Sequence, residues 1–365
     1  MEEQLDVAGR RKRLMSQTEQ SNSNSLIPQI GRDLSINCLI RCSRSDYGYI
    51  ASVNRSFRSL VRTGELHRAR RNRGIVEHWV YFSCSSFDWM CFHPVGIRWM
   101  HVPRLPLSEP MLSYKEALAV GTELLVFGME MTGLHQIFKF STLTNSWSLG
   151  REMNEPRRLF GSASLGEIAI VAGGRDRENN ILSSAEIYNS DTGTWWSLPR
   201  MNRPRTMCSG VFMDGNFYVV GGIGVGNPNV LTCGEMYDFK TRRWHEIPNM
   251  FPAQINETEA PPLLVVVKNE LYAAFDKEKE VRKYDKGRNL WSTVGTLPEG
   301  TVSMNGWRPA LRAYGDQLIL IVGEPSLRRG IEVYDCVPDE GPLQWSLLTF
   351  NDMGGFFDNC TVMGC

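Results

Sequence analysis

Nine cysteines and six histidines are the side chains of this 365-residue chain best suited to bind a metal or attack an electrophile. Cys84, Cys91 and His93 lie nearest one another in sequence. A structural zinc site needs four such ligands, usually as spaced pairs. Here Cys91 and His93 are separated by a single residue, and no C-x-x-C pair exists. No G-x-S-x-G elbow is present, and no cysteine has a recognisable base beside it. The final "VMGC" carries Cys365 but lacks the cysteine four from the end that prenylation requires. The Asn54-Arg-Ser, Asn256-Glu-Thr and Asn359-Cys-Thr triplets fit a glycan acceptor pattern that has meaning only in a secreted chain. These residues therefore predict small packing thiols, with no catalytic residue, no metal and no cofactor.

Composition points the same way. Forty Lys and Arg balance forty Asp and Glu, so no global field favours nucleic acid or an anionic membrane. No apolar run approaches the roughly 20 residues that cross a bilayer. Residues 1–25 are rich in Gln, Ser and Asn and lack an apolar signal core, so a disordered tail and reduced cysteines are expected. The basic run at 10–13 would suit a nuclear localisation signal, and the expected location is nucleus and/or cytoplasm.

What the cysteines lack in pattern, the tryptophans supply. An aromatic precedes tryptophan by seven residues at Phe92…Trp99, Phe140…Trp147, Tyr188…Trp195, Tyr237…Trp244 and Tyr284…Trp291, with Tyr334…Trp345 four residues longer. The tryptophans step by 48, 48, 49, 47 and 54 residues. Such a period, filled with short apolar runs and turn residues, belongs to a β-propeller rather than a helical solenoid. In "CSGVFMDGNFYVVGG", Asp214-Gly215 is a hairpin signal between two strands. The following "CGEMYDFKTRRWHEIPNM" reads as two more strands, completing one four-stranded blade.

Turn residues also close the first strand of successive units at Gly121, Gly166, Gly215, Asn269 and Gly315. The tail "NCTVMG" repeats that strand and ends at Gly364. The first strand-like runs, "HWVYFS", "WMCFHP" and "RWMHVP", form three strands without a first. Six blades are thus predicted, one stitched from both ends of the chain, which removes the exposed edges of an open ring.

The units resemble the kelch repeat, with a diglycine after the second strand, a tyrosine in the third and a tryptophan in the fourth. Two match well, through Gly173, Gly174, Tyr188 and Trp195, and through Gly221, Gly222, Tyr237 and Trp244. Elsewhere the diglycine position reads Phe127-Gly128, Ala274-Phe275 and Val322-Gly323. The resemblance implies a mainly β, six-bladed propeller over 76–365. Its blades are expected at 76–103 with 354–365, and at 115–150, 159–201, 208–250, 261–298 and 307–350.

Residues 26–75 have helical periodicity. Ile50, Val53, Phe57, Leu60 and Val61 fall on one apolar face, Asp33 and Asp46 are expected N-caps, and Gly64 is an expected C-cap. The five arginines between 62 and 73 have no interleaved aromatics and read as the solvated face of a linking helix. Forty residues of short helices bury little core alone and are expected to bind a partner.

This segment resembles an F-box. Ile27-Pro28, then Leu34, Ile36, Leu39 and Ile40, lead into Ser52-Val53-Asn54-Arg55-Ser56-Phe57-Arg58-Ser59-Leu60-Val61, with Arg55 for the family's Lys and Phe57 for its Trp. Ile30-Gly31-Arg32 stands where many members have Leu-Pro. An F-box ahead of kelch repeats resembles the plant F-box/kelch-repeat group. That resemblance implies a non-catalytic substrate receptor of a Skp-cullin-F-box ubiquitin ligase, presenting a protein target for degradation. It also implies that Ile27, Pro28, Leu34, Ile36, Leu39, Ile40, Val53, Phe57, Leu60 and Val61 face the Skp-type adaptor. A kelch scaffold without ligase role, or a small-molecule enzyme on the same propeller, is the alternative. Loops joining strands two and three, and loops joining blades, share one propeller face. There Arg157, Arg158, Arg175, Arg177, Arg205, Trp307 and Arg308 are the expected target contacts, Arg and Trp being common hot-spot types.

Overall fold

The computed structural model describes residues 26–27, 30–83, 88–106, 112–129, 135–226, 230–252, 260–275, 277–299, 301, 309–323, 330–338, 341–351 and 359–364. Pro28, Cys84, Trp307, Arg308, Cys365 and the 1–25 tail lie outside the described residues.

Hairpin chemistry sets the strand pattern. Asp214-Gly215 and Lys268-Asn269 both take positive φ at two successive positions (52° and 72°, 50° and 62°), the primed turn that matches strand twist. The equivalent turns at Gly121, Gly166 and Gly315 place one glycine at positive φ. Each turn joins a blade's first strand to its second.

The strands in chain order are β1 (His78–Ser83), β2 (Trp89–His93) and β3 (Arg98–His101), then β4 (Leu112–Val120), β5 (Glu123–Met129), β6 (His135–Ser141) and β7 (Ser146–Leu149). The third and fourth blades are β8 (Gly161–Leu165), β9 (Ile168–Ala172), β10 (Ala185–Asn189) and β11 (Thr194–Leu198), and β12 (Ser209–Met213), β13 (Asn216–Val220), β14 (Gly234–Asp238) and β15 (Arg243–Ile247). Next come β16 (Leu263–Val267), β17 (Glu270–Phe275), β18 (Glu280–Asp285) and β19 (Leu290–Thr296), and β20 (Ala310–Tyr314), β21 (Gln317–Gly323), β22 (Ile331–Cys336) and β23 (Ser346–Asn351). Last is β24 (Cys360–Gly364). They form six four-stranded antiparallel sheets, and the first is ordered β24-β1-β2-β3. Thus the C-terminal strand does complete the N-terminal blade, with Val80 opposite Val362 and Phe82 opposite Cys360. First strands of neighbouring blades touch in a closed circuit, β4 to β8, β12, β16, β20, β24 and back to β4.

The repeated aromatics hold blade to blade. In five blades the aromatic lies opposite its tryptophan, as Tyr188 does to Trp195 and Tyr237 to Trp244. The indole N–H then donates to a backbone carbonyl of the preceding blade or its exit: Trp147 to Pro103, Trp195 to Arg151, Trp244 to Pro199 and Trp291 to Met250, at 2.6–2.9 Å. The sixth unit differs. Its insertion puts Leu347 opposite Tyr334 and leaves Trp345 just ahead of β23, although its indole still donates to Thr296 at 2.9 Å.

Strand pairing also corrects the diglycine register. Ala172 faces Gly161, as Phe127 faces Glu116 and Ala274 faces Leu263, so Gly128 and Phe275 occupy the place of Gly173. Where glycine is absent, apolar packing substitutes: Phe275 stacks on Phe251 at 5.5 Å.

A second compact unit ends at Glu77. It contains α1 (Gly31–Leu39), a 3₁₀ turn (Arg44–Asp46), α2 (Tyr47–Val53), α3 (Arg55–Arg62) and α4 (Glu65–Asn72). Leu26, Ile36, Leu39, Ile40, Tyr47, Ile50, Phe57, Leu60 and Leu66 form its core. The single helical face expected from Ile50 to Val61 is interrupted. Asn54 is extended (φ −162°), and its side chain accepts from the Phe57 N–H at 3.0 Å, capping α3. Neither Asp33 nor Asp46 caps: Ile30 precedes α1 without a side-chain bond, and Asp46 makes none to α2. Gly64 at φ 71° ends α3 as expected.

Candidate functional site

The helical unit and the propeller each carry candidate binding residues. Burial divides the residues expected at the adaptor. Ile36, Leu39, Ile40, Phe57 and Leu60 are interior and hold the helices together; Ile27 and Val61 pack partly buried against them. Leu34 and Val53 instead face solvent at 58% and 64% exposure, joined by Tyr49 at 77%. Tyr49 is absent from the expected contacts although it stands four residues before Val53, a helical spacing that puts the two on one side. The break at Asn54 is what turns Val53 outward.

The same unit holds an ionic brace. Arg70 donates to Glu77 Oε2 at 2.9 Å and to the Cys42 carbonyl at 2.6 Å, and Glu77 accepts from Ser43 Oγ and the Arg44 N–H. Arg70 is thus interior, unlike the solvated face expected of its helix. Next to it, His67 is pushed down to about 3, first by burial and then by the charges of Arg44, Arg70 and Arg68.

On the propeller, two of the expected target contacts are not at the surface. Arg157 and Arg205 are 1% and 0% exposed. Arg157 donates to the Gly173 and Ser184 carbonyls (3.1 and 2.8 Å) and to Glu186 Oε1 (2.9 Å). Arg205 repeats this, donating to the Gly221 and Cys233 carbonyls (2.9 and 3.1 Å) and to Glu235 Oε1 (2.8 Å). Each carboxylate also accepts the two backbone N–H groups at its blade junction, from Asn154 and Glu155 or from Asn202 and Arg203. The arginine therefore fastens the junction to the diglycine and the third strand. A sequence signal existed: Pro-Arg recurs at 156–157 and 204–205, and Glu stands two before the tyrosine at 186 and 235.

Arg158, Arg175 and Arg177 do lie together on the loop face. Arg158 and Arg175 form a backbone bridge, and Thr206 bridges Ile223 likewise, so blade junctions meet the loops between strands two and three. Arg158 Nη2 donates to Asn179 Oδ1 at 3.0 Å and Arg175 Nη1 to the Asn179 carbonyl at 2.9 Å. Arg177 is exposed. Burial, then Arg177 and Arg158, push the His135 imidazole below its ordinary range beside this basic group.

The first strands line an open cavity of about 450 Å³. Glu116, Ser162, Cys208, Ser209, Arg312 and Thr361 are among its polar lining. Burial raises the Glu116 carboxyl to about 8, a shift that the Leu159 and Phe160 N–H groups only partly offset. Cys208 rises to about 11 and Cys360 rises too, both by burial, which makes them poor nucleophiles. Cys91 is buried in β2, and the His93 ring stacks on Trp79 at 5.0 Å. Among the described residues no cluster of three His, Cys, Asp or Glu could hold a metal.

A closed six-bladed ring with paired Arg–Glu braces under diglycines, preceded by a small helical unit, defines a kelch-type propeller with an F-box. The Kelch motif model matches residues 156–202 and 204–251, the two blades that carry the braces. Over 363 residues the chain is 56% identical to the F-box/kelch-repeat protein SKIP11 of Arabidopsis thaliana, covering 95% of this chain and 77% of that one. It is 53% identical over 360 residues to F-box/kelch-repeat protein At1g74510 of the same plant, covering 94% and 80%. A third, At1g26930, is 53% identical over 357 residues, covering 94% and 85%. The chain belongs to the F-box/kelch-repeat proteins.

Proposed function

We propose that this chain is a non-catalytic substrate receptor of a Skp-cullin-F-box ubiquitin ligase. The helical unit docks a Skp-type adaptor, and through it a cullin-RING ligase, while the propeller's loop face holds a protein target for ubiquitination and degradation. Binding both raises the target's effective concentration beside the ubiquitin-charged enzyme. The observation that carries this reading is the exposure of three large apolar side chains, Leu34, Tyr49 and Val53, on the small helical unit. The Arg158, Arg175 and Arg177 group is the proposed target contact, and nucleus and/or cytoplasm the proposed location.

Proximity labelling in plant cells with the proteasome blocked tests it. Leu34→Asp/Val53→Asp should lose adaptor and cullin from the labelled set yet keep propeller-dependent neighbours, whose half-lives then lengthen. Unchanged half-lives together with retained cullin labelling would instead favour a scaffold without ligase role.

A further inference from the structure

Three polar side chains of the axial cavity reach forward to the next blade. Glu116 Oε1 accepts from the Phe160 N–H at 3.3 Å, Ser209 Oγ donates to the Pro262 carbonyl, and Arg312 Nε donates to the Cys360 carbonyl at 3.1 Å. Alternate blade junctions are stitched in this way, including the one that seats β24. Ser209 is satisfied by its stitch, but the other two keep unused capacity. Arg312 places Nη1 on the Leu311 carbonyl at 2.9 Å, and among the described residues no carboxylate pairs with it. Two neutral carbonyls orient this guanidinium without neutralising it. On the far side of β24, the Oε2 atom of Glu116 is buried and has no hydrogen-bond partner among the described residues.

Buried polar groups normally find partners, and one that does not costs free energy until a ligand or water supplies it. The lining beside these two groups is small or apolar, with Ala117, Leu118, Ala310, Ala313 and Val362. A cavity of about 450 Å³ is in the range that small organic ligands occupy. We propose that this axial cavity is a small-molecule site, taking a compact carboxylate whose anionic group pairs with Arg312 and whose far end hydrogen-bonds Glu116. A guanidinium fork fits a carboxylate in two parallel bonds, which a bare cation or an apolar molecule cannot use. The site uses none of the residues assigned to the adaptor or to the target, so it does not depend on the ligase reading.

Isothermal titration of the full chain with 4-aminobutyrate and with succinate tests the proposal, with inorganic phosphate as the comparison anion. At least one carboxylate should bind saturably, and Arg312→Met should weaken it by about tenfold or more, as loss of a charged hydrogen bond implies. Ala313→Phe narrows the cavity while leaving Arg312 in place, and should abolish binding in a variant whose circular dichroism spectrum shows that it is folded. It therefore decides the matter even where Arg312→Met fails to fold. No carboxylate binding up to about 10 mM, binding that survives Ala313→Phe, or phosphate binding as tight as carboxylate would each overturn the proposal.

Discussion

Replacing Arg205 with methionine should unfold the propeller more readily without touching any surface. Arg205 and Glu235 are both 0% exposed and 2.8 Å apart. The substitution leaves the Gly221 and Cys233 carbonyls without their guanidinium donor and strands a carboxylate in the interior. Removing one partner of a buried pair typically costs about 3–5 kcal/mol, because the remaining charge is uncompensated. Glu235 keeps three N–H donors, from Asn202 and Arg203, so the lower part of that range, about 3–4 kcal/mol, is expected. Urea unfolding followed by tryptophan fluorescence measures it through the midpoint shift at constant slope. The double variant Arg205→Met/Glu235→Gln should lose less than the sum of its single variants, since the pair is coupled. Two residues away, Arg203 pairs with Glu246 at the surface, and Arg203→Gln should leave the midpoint nearly unmoved. If Arg205→Met matches Arg203→Gln in stability and instead weakens target binding, the brace is refuted and Arg205 is a surface contact after all.

Three further outcomes follow from the same structure. Gly174→Ala should be far more destabilising than Gly166→Ala, by about 2 kcal/mol or more in thermal unfolding: both have positive φ, but a Cβ on Gly174 meets the Arg158 carbonyl at 2.5 Å while Gly166 has open space. Ending the chain before Cys360 should strip β24 from β1, expose an edge and give aggregates on size exclusion, whereas a monomer with the full-length melting temperature would show that the stitched blade is dispensable. His67, pushed down to about 3, is neutral in the folded chain; stability is therefore full above its ordinary value of 6.5 and falls by about 1 kcal/mol per pH unit as pH drops toward 3, a slope that His67→Gln should flatten in pH-dependent unfolding.

The propeller was legible because its signals are local and repeated. Asp214-Gly215 makes its hairpin from two residues, and in five blades the tryptophan meets its aromatic across one tight turn. Ring closure by Cys360–Gly364 was legible as well, once that strand was placed in register with Gly121, Gly166 and Gly315. The site was read less well, for a physical reason. Residue type gives chemistry but not burial, and Arg157 and Arg158 are neighbours with opposite fates. One is sunk under a diglycine on Glu186, and the other bridges an outer loop. The same limit divided the F-box residues. A smooth 3.6-residue period from Ile50 to Val61 hid the break at Asn54, where a side-chain cap outcompeted helix continuation and turned Val53 to solvent. The axial pair of Glu116 and Arg312 had no sequence signature, since residues 196 apart meet one cavity only through ring closure.

Direct binding of the full chain to a purified Skp-type adaptor tests the central claim most plainly. A one-to-one complex of micromolar or tighter affinity is expected. Leu34→Asp/Val53→Asp should abolish it while the circular dichroism spectrum and melting temperature stay unchanged, because both side chains are exposed. Phe57→Asp, by contrast, should unfold the helical unit. No complex with the wild-type chain, or undiminished binding by a folded Leu34→Asp/Val53→Asp variant, would contradict the account.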